Sequence, residues 1–235
     1  MKIALIGYGK MGKTIERFAL QRGHSITIRI DKDNTDDIYS DTFKSSDIAI
    51  EFSVPETAFR NVSTALSLGV PVVCGTTGWL DKLDEIKQLC EKQKLAFIYS
   101  SNFSLGVNIF FYVNRKLAEV MKKYPEYSVS IEEIHHIHKK DAPSGTAVTL
   151  AEDILSQIDL KKWSLDREAN SLHISAIREG EVPGTHSVMY ENDIDAITIR
   201  HEAKSRDGFA LGAVIAAEFT QGKQGFYTMK EVLGL

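Results

Sequence analysis

Along residues 1–103, short runs of β-branched and aliphatic residues alternate with longer stretches whose apolar positions recur at helical spacing. The runs at about 2–6, 25–30, 47–52, 70–73 and 95–98 predict strands. The stretches at about 11–22, 56–67 and 81–93 predict helices, each opening near a turn signal such as Gly12, Pro55 or Gly78. Strands that alternate with helices in this way predict a doubly wound parallel sheet. From about 127 the pattern changes to longer alternating runs, 128–134, 171–177 and 194–202, which predict the strands of a mixed or antiparallel sheet. Between them, Ala147, Leu150, Ala151, Ile154 and Ile158 mark one face of a helix over about 145–158, with Ser144 as its N-cap. The alanine-rich apolar run 209–219 predicts a helix that returns to the first domain. The expected class is α/β with a second α+β domain: one domain of residues 1–103 completed by about 206–235, and another of residues 104–205.

Composition narrows what such a chain can do. With 43% hydrophobic and 26% charged residues over 235 positions, it is an ordinary globular protein. A formal net charge of -4 argues against sequence-independent nucleic-acid binding, which needs a basic face. Cys74 and Cys90 form neither a disulfide framework nor a metal-ligand spacing, which fits a reducing compartment. The first strand begins at Lys2, and no apolar stretch approaches the roughly 20 residues a membrane helix needs. The expectation is a cytoplasmic protein that handles small molecules, with no membrane and no nucleic-acid partner.

The first turn carries candidate chemistry. Gly7-Tyr8-Gly9-Lys10-Met11-Gly12 stands between a strand and a helix, the setting in which G-x-G-x-x-G binds a dinucleotide. Gly7 permits the tight turn, Gly9 lets the backbone approach a pyrophosphate, and Gly12 lets helix and strand pack closely. The pyrophosphate would lie on the helix N-terminus, where free N–H groups favour an anion. Asp31 closes the second strand, where an acid accepts hydrogen bonds from the adenosine ribose. Lys32 and Lys13 could instead meet a ribose phosphate, so both NADH and NADPH are expected cofactors of this Rossmann-like half. Ser53-Val54-Pro55 and Gly75-Thr76-Thr77-Gly78 follow the third and fourth strands, where strand ends converge on the ligand crevice. Read blandly, all of these are ordinary turns, and Cys74 is a small buried residue.

The densest cluster of reactive side chains is the run from Glu133 through His135, His136, Ile137, His138, Lys139, Lys140, Asp141, Ala142, Pro143 and Ser144 to Ala147. A metal site is one reading, although no cysteine and no spaced second cluster completes a coordination shell. A solvated basic loop is another. The functional reading is that an imidazole supplies a proton while the lysines attract an anion. Gly145 and Thr146 would add N–H groups at a helix N-terminus, which suits a carboxylate.

Taken in order, these motifs resemble the 4-hydroxy-tetrahydrodipicolinate reductase family, also called dihydrodipicolinate reductase. The likeness runs through the Gly7–Gly12 turn, Glu51-Phe52-Ser53-Val54-Pro55, Gly75-Thr76-Thr77-Gly78, Ser101-Asn102-Phe103-Ser104-Leu105-Gly106-Val107 and the His135–Ala147 stretch. It continues through Arg178-Glu179-Gly180, Gly184-Thr185-His186, Ser205-Arg206 and Phe209-Ala210-Leu211-Gly212-Ala213. The His-His-x-His-Lys-x-Asp-Ala-Pro-Ser-Gly-Thr run is the most specific of these. The resemblance implies hydride transfer from NADH or NADPH to ring carbon 4 of a cyclic dicarboxylate, in the diaminopimelate route to lysine. It implies His135 and Lys139 as proton donors, and His136, Gly145 and Thr146 as contacts to substrate carboxylates. It implies that Gly75-Thr76-Thr77 and Ser100, Ser101, Asn102 and Phe103 line the nicotinamide side, and that the protein is a homotetramer with no metal.

The chain also departs from that family. The family's first turn often carries an extra residue, and the segment after Asp31 is shorter here, which leaves the choice between NADH and NADPH open. Ile137 stands where an arginine is common, which predicts weaker substrate affinity without loss of the acid. Two other classes stay in view: a dinucleotide-sensing regulator without turnover, and a dehydrogenase for another small carboxylate.

Overall fold

The computed structural model describes residues 1–235, which form two compact units. One comprises Met1–Leu105 with Asp207–Leu235, and the other Gly106–Arg206.

The first unit opens with β1 (Lys2–Ile6), α1 (Lys10–Gln21), β2 (Ser25–Ile30), the single turn α2 (Asp41–Lys44) and β3 (Ile48–Glu51). It continues through α3 (Pro55–Ser67), β4 (Val72–Cys74), α4 (Leu83–Gln93) and β5 (Ala96–Tyr99). Proline at the first position of α3 costs nothing, because that N–H has no intrahelical partner in any helix. α1 starts at Lys10, within a residue of the expected 11, so the last glycine of the motif lies inside the helix. There a Cβ would come within 2.2 Å of the Gly7 carbonyl oxygen, which is why this turn of helix can sit directly on the strand end.

The second unit contains α5 (Leu105–Met121), β6 (Ser128–His135), α6 (Gly145–Leu155), β7 (Lys162–Ser164), β8 (Ser171–Arg178), β9 (Thr185–Glu191) and β10 (Ala196–Glu202). Its sheet has the order β10-β9-β6-β8-β7, antiparallel from β10 through β6 and parallel from β6 through β7, hence mixed. The core lies under this sheet, where Leu150, Ala151 and Ile154 of α6 and Phe110 and Ala118 of α5 meet Ile131, Leu172, Ile174, Val188 and Tyr190.

Several elements differ from the sequence expectations. The hydrophobic pattern predicts no helix over 104–127, yet α5 has 17 residues. Its run of Val, Ile, Phe and Tyr imitates a strand, and its inward face carries the polar Asn114, which binds the Leu150 carbonyl at 3.1 Å. β9 also escapes the pattern, because its first buried positions are the polar Thr185 and His186 rather than aliphatic residues. α6 ends at Leu155 rather than 158, while Ile158 still packs against the core from beyond the helix.

The chain then returns to the first unit with α7 (Asp207–Phe219), β11 (Gly225–Tyr227) and α8 (Met229–Leu233). The returning helix covers one face of the first sheet: Ala210, Ala213, Val214, Ala216 and Ala217 pack on Ile3, Leu5, Ile48, Ile50 and Val73. Small residues let the backbones approach, most closely at Gly212, where a Cβ would fall 1.7 Å from the Phe103 carbonyl oxygen. All six strands are parallel, in the order β11-β5-β4-β3-β1-β2. Their C-terminal ends therefore share one edge, and the order reverses between β1 and β3, which is where open α/β sheets bind ligands.

Candidate active site

A cavity of about 320 Å³ opens at that reversal point. Gly7 at the end of β1, Phe52 and Ser53 after β3, and Asp31 and Lys32 after β2 form its walls together with Gly9. Gly7 needs its positive φ of 89°, and a Cβ there would strike the Phe52 carbonyl at 2.1 Å. Gly9 differs: no protein atom lies within 4 Å of where its Cβ would sit. The open space at Gly9 and the start of α1 beside it suit an anionic ligand drawn close to the backbone. These residues fit a dinucleotide.

The other residues expected at this cofactor site fall into two groups. Tyr8, Lys10, Met11 and Gly12 belong to the turn and α1 rather than to the cavity wall. The Tyr8 hydroxyl donates to Glu16, which also pairs with Arg29, and that hydrogen bond raises the phenol's pKa. Gly75, Thr76 and Thr77 follow β4, and Ser100, Ser101, Asn102 and Phe103 follow β5, all at the ligand edge. Gly75 makes room for the Phe52 ring, which would lie only 2.2 Å from a Cβ at that position. Ser100 Oγ and Asn102 close a tight turn through reciprocal hydrogen bonds of 2.7 and 3.1 Å. Phe103 is 1% exposed and packs its ring 5.6 Å from that of Phe52, so it supports the edge from inside the core. Thr35, Arg60 and Thr64 also line the cavity without having been expected there; nothing in their local pattern separates them from ordinary surface positions.

The second unit gathers a cluster of charge at the end of β6. Strand alternation turns Ile131, Glu133 and His135 to the same buried face. Glu133 is fully buried. Its Oε1 accepts from Arg178 Nη2 at 3.0 Å and from the Ser144 backbone N–H at 3.0 Å. Its Oε2 lies 3.3 Å from His135 Nδ1 and 3.7 Å from His186 Nε2. Burial alone would raise the Glu133 carboxyl, but the neighbouring imidazoles, the Ser144 N–H and the Arg178 guanidinium outweigh it and hold the group far below the usual carboxylate range. Burial pushes His186 down, so it is neutral near pH 7, and its Nε2 lies 3.1 Å from Ser144 Oγ. His135 is 8% exposed, and its Nε2 lies beside Gly184, where a Cβ would intrude to 3.0 Å.

Around this pair stand the other residues expected here. Lys139 Nζ donates to both oxygens of Asp141 at 2.8 Å, which lowers the pKa of that aspartate. Arg178 also donates to the Asp141 carbonyl at 2.6 Å, tying the loop to the strand. Ser144 caps α6 by accepting from the Ala147 N–H, which presents Gly145 and Thr146 as the first residues of the helix. His136 holds its main chain against Val182 at 2.9 Å, and its Nε2 lies 3.4 Å from Arg206. Of the three histidines in the run, only His135 joins the buried cluster; Ile137 and His138 are exposed.

Glu133, His135 and His186 bring three potential metal-ligand atoms within 4.8 Å of one another. Arg178 already supplies the positive charge that the carboxylate requires, so the trio is better described as a carboxylate that orients imidazoles. In the sequence, Glu133 opens the dense reactive run and Arg178 and His186 fall in family motifs, but none of them is given a role there. Glu133 was legible in principle, two residues before His135 on an alternating strand; His186 and Arg178 reach the site only through sheet pairing.

Both halves of the chain match known proteins. The family model "Dihydrodipicolinate reductase, N-terminus" matches residues 1–103, and "Dihydrodipicolinate reductase, C-terminus" matches residues 106–233. A 4-hydroxy-tetrahydrodipicolinate reductase of Christiangramia forsetii is 53% identical over 235 residues, covering 99% of this chain and 98% of that protein. One of Rickettsia bellii is 36% identical over 229 residues, covering 94% and 89%. Among solved structures, a dipicolinate-bound dihydrodipicolinate reductase from a Paenisporosarcina species has the same fold, with a TM-score of 0.77 at 20% identity over 97% of each chain. On the strength of both family matches and these relatives, the chain belongs to the dihydrodipicolinate reductase family.

Proposed function

We propose that this chain reduces 4-hydroxy-tetrahydrodipicolinate to tetrahydrodipicolinate with NADH or NADPH, as a step of the diaminopimelate route to lysine, the activity for which its relatives are named. The observation that carries the chemistry is the buried Glu133 carboxylate 3.3 Å behind His135, with Lys139, Arg178 and the start of α6 around it.

Reduced nicotinamide, when bound, supplies a hydride to ring carbon 4 of the substrate. Exchange of the hydroxyl at that carbon for hydrogen consumes one proton and releases one water, so the protein must provide an acid. His135 is that acid in our reading. The Glu133 carboxylate lies 3.3 Å from its Nδ1, which leaves Nε2 to deliver the proton. Lys139 is the second donor, oriented by Asp141. His136, Gly145 and Thr146 receive the substrate carboxylates, where the α6 N-terminus and the neighbouring Arg206 favour negative charge.

On the dinucleotide side, Gly7, Gly9 and Gly12 shape the turn for the pyrophosphate, and Asp31 accepts from the adenosine ribose with Lys32 alongside. Asp31→Ala is therefore expected to weaken NADH more than NADPH, because only the unphosphorylated ribose offers both hydroxyls to the acid. Titration of each dinucleotide against the variant checks this, and equal losses would remove the contact. We also infer a cytoplasmic homotetramer. No helix is long and apolar enough to cross a membrane, and the edge strand β10 leaves Ile197 40% exposed beside an Ile194 that is 88% exposed, a surface that suits another subunit. Sedimentation equilibrium reading a single chain would overturn the assembly.

The decisive test of the activity follows nicotinamide absorbance with freshly generated 4-hydroxy-tetrahydrodipicolinate, separately for NADH and NADPH. Oxidation that requires the substrate is the expected result; dinucleotide binding without turnover would overturn the reading.

A further inference from the structure

Glu51, the last residue of β3, is a buried carboxylate that the chemistry above does not use. Burying such a group is costly unless its oxygens are satisfied, so the donors around it are informative. Ser53 donates to Oε1 through its hydroxyl and through its backbone N–H, the latter at 3.2 Å. Asn61 Nδ2 reaches the same oxygen at 3.4 Å, and the Cys74 thiol donates to Oε2 at 3.1 Å. The acceptor therefore draws together the turn after β3, the inner face of α3 and the end of β4.

Two of the residues so gathered, Ser53 and Asn61, face the cavity, and Cys74 backs them from the core. Thr57 lines the cavity too. The Ser53 hydroxyl is 3.1 Å from Thr57 Oγ1, and the Ser53 N–H also donates to Thr76 Oγ1 at 2.9 Å. Burial holds the Cys74 thiol protonated, so it remains a donor. An apolar residue at position 51 would fill the same space at less desolvation cost, yet would leave Ser53, Asn61 and Cys74 without their shared acceptor.

We propose that Glu51 is a positioning residue for the dinucleotide: through Ser53, Asn61 and Cys74 it sets the cavity wall that receives NADH or NADPH, without touching the ligand itself. The inference rests on the proposed dinucleotide cavity. Calorimetric Kd values for NADH and NADPH test it, alongside kcat, KM for the dicarboxylate and Tm, on Glu51→Ala, Glu51→Gln, Ser53→Ala and Gly9→Asp. Glu51→Ala is expected to raise both Kd values about tenfold, while kcat at saturating dinucleotide and KM for the dicarboxylate stay within about threefold. Glu51→Gln, which keeps one acceptor oxygen, is expected to recover most of the affinity. An unchanged Kd in Glu51→Ala overturns the proposal, as does a fall confined to Tm. If Glu51→Ala does not fold, Glu51→Gln and Ser53→Ala decide, and unchanged Kd values in both overturn it. Raised Kd in Gly9→Asp with none in the Glu51 variants defeats this inference alone; unchanged Kd in Gly9→Asp defeats the cavity reading and this inference with it.

Discussion

Replacing His135 by alanine is expected to lower kcat by about 10²-fold or more while dinucleotide affinity is retained, the signature of losing a general acid. The geometry makes His135 specific in this respect. It is the only histidine of its run in the buried cluster, its Nδ1 lies 3.3 Å from Glu133, and its Nε2 lies beside Gly184. His138 is exposed, so His138→Ala should leave kcat within about threefold and serves as the control. Single-turnover reduction, with dinucleotide affinity measured separately, checks the split. An unchanged kcat in His135→Ala would take the residue out of the acid's role.

The second large effect is expected at Glu133. Its removal leaves the buried Ser144 N–H without its acceptor and the Arg178 guanidinium, which keeps the Asp141 carbonyl, without its counter-charge, and it frees the His135 ring. Glu133→Ala should cost roughly 3 kcal/mol of stability by analogy with broken buried ion pairs, and Glu133→Gln less, because its carbonyl can still accept. Both should lower kcat. The stability effect has a predictable pH dependence. The folded-state carboxyl is held below its usual 4.5, so its contribution is fully present above that value and is lost as pH falls through the folded value. The gap between the native chain and Glu133→Gln should therefore be widest near neutrality and narrow below about pH 4.5. His186, pushed down by burial and partly held up by Glu133, adds acid lability that begins nearer 6.5, so the carboxylate is read from the change in the gap below about pH 4.5. Urea midpoints measured across that range decide, and a gap independent of pH would show that Glu133 is not the ionised centre described here.

Much of the fold was legible from residue order. The first five strands and three long helices of the first unit lie where hydrophobic runs and helical periodicity placed them, because buried parallel strands are continuously apolar and the helices covering them are one-sided. Ser144 was recognisable as a cap from its type and place before an apolar stripe, and it does accept from Ala147 N–H. The pattern fails where inward positions are polar. Asn114 in α5 and His186 in β9 sit on core-facing positions and break the periodicity from which an element is inferred.

The candidate site divides along the same line. Local sequence brings together what lies on one turn or one strand: the glycines of the first loop, Glu133 with His135, Lys139 with Asp141, and Gly145 with Thr146 at a helix start. By itself, then, the sequence determined the class of fold, the dinucleotide turn, the family resemblance and the residue types of the acid cluster, because these depend on spacings of a few residues. Only the tertiary structure decided which acceptor serves which donor. Arg178 and His186 meet Glu133 because β8 and β9 flank β6, and Asn61 and Cys74 meet Glu51 because α3 and β4 pack beside β3. Those partners are separated by up to 53 positions along the chain, from Glu133 to His186, and a buried charge is satisfied by whatever sheet order brings within hydrogen-bonding distance, which no local pattern records.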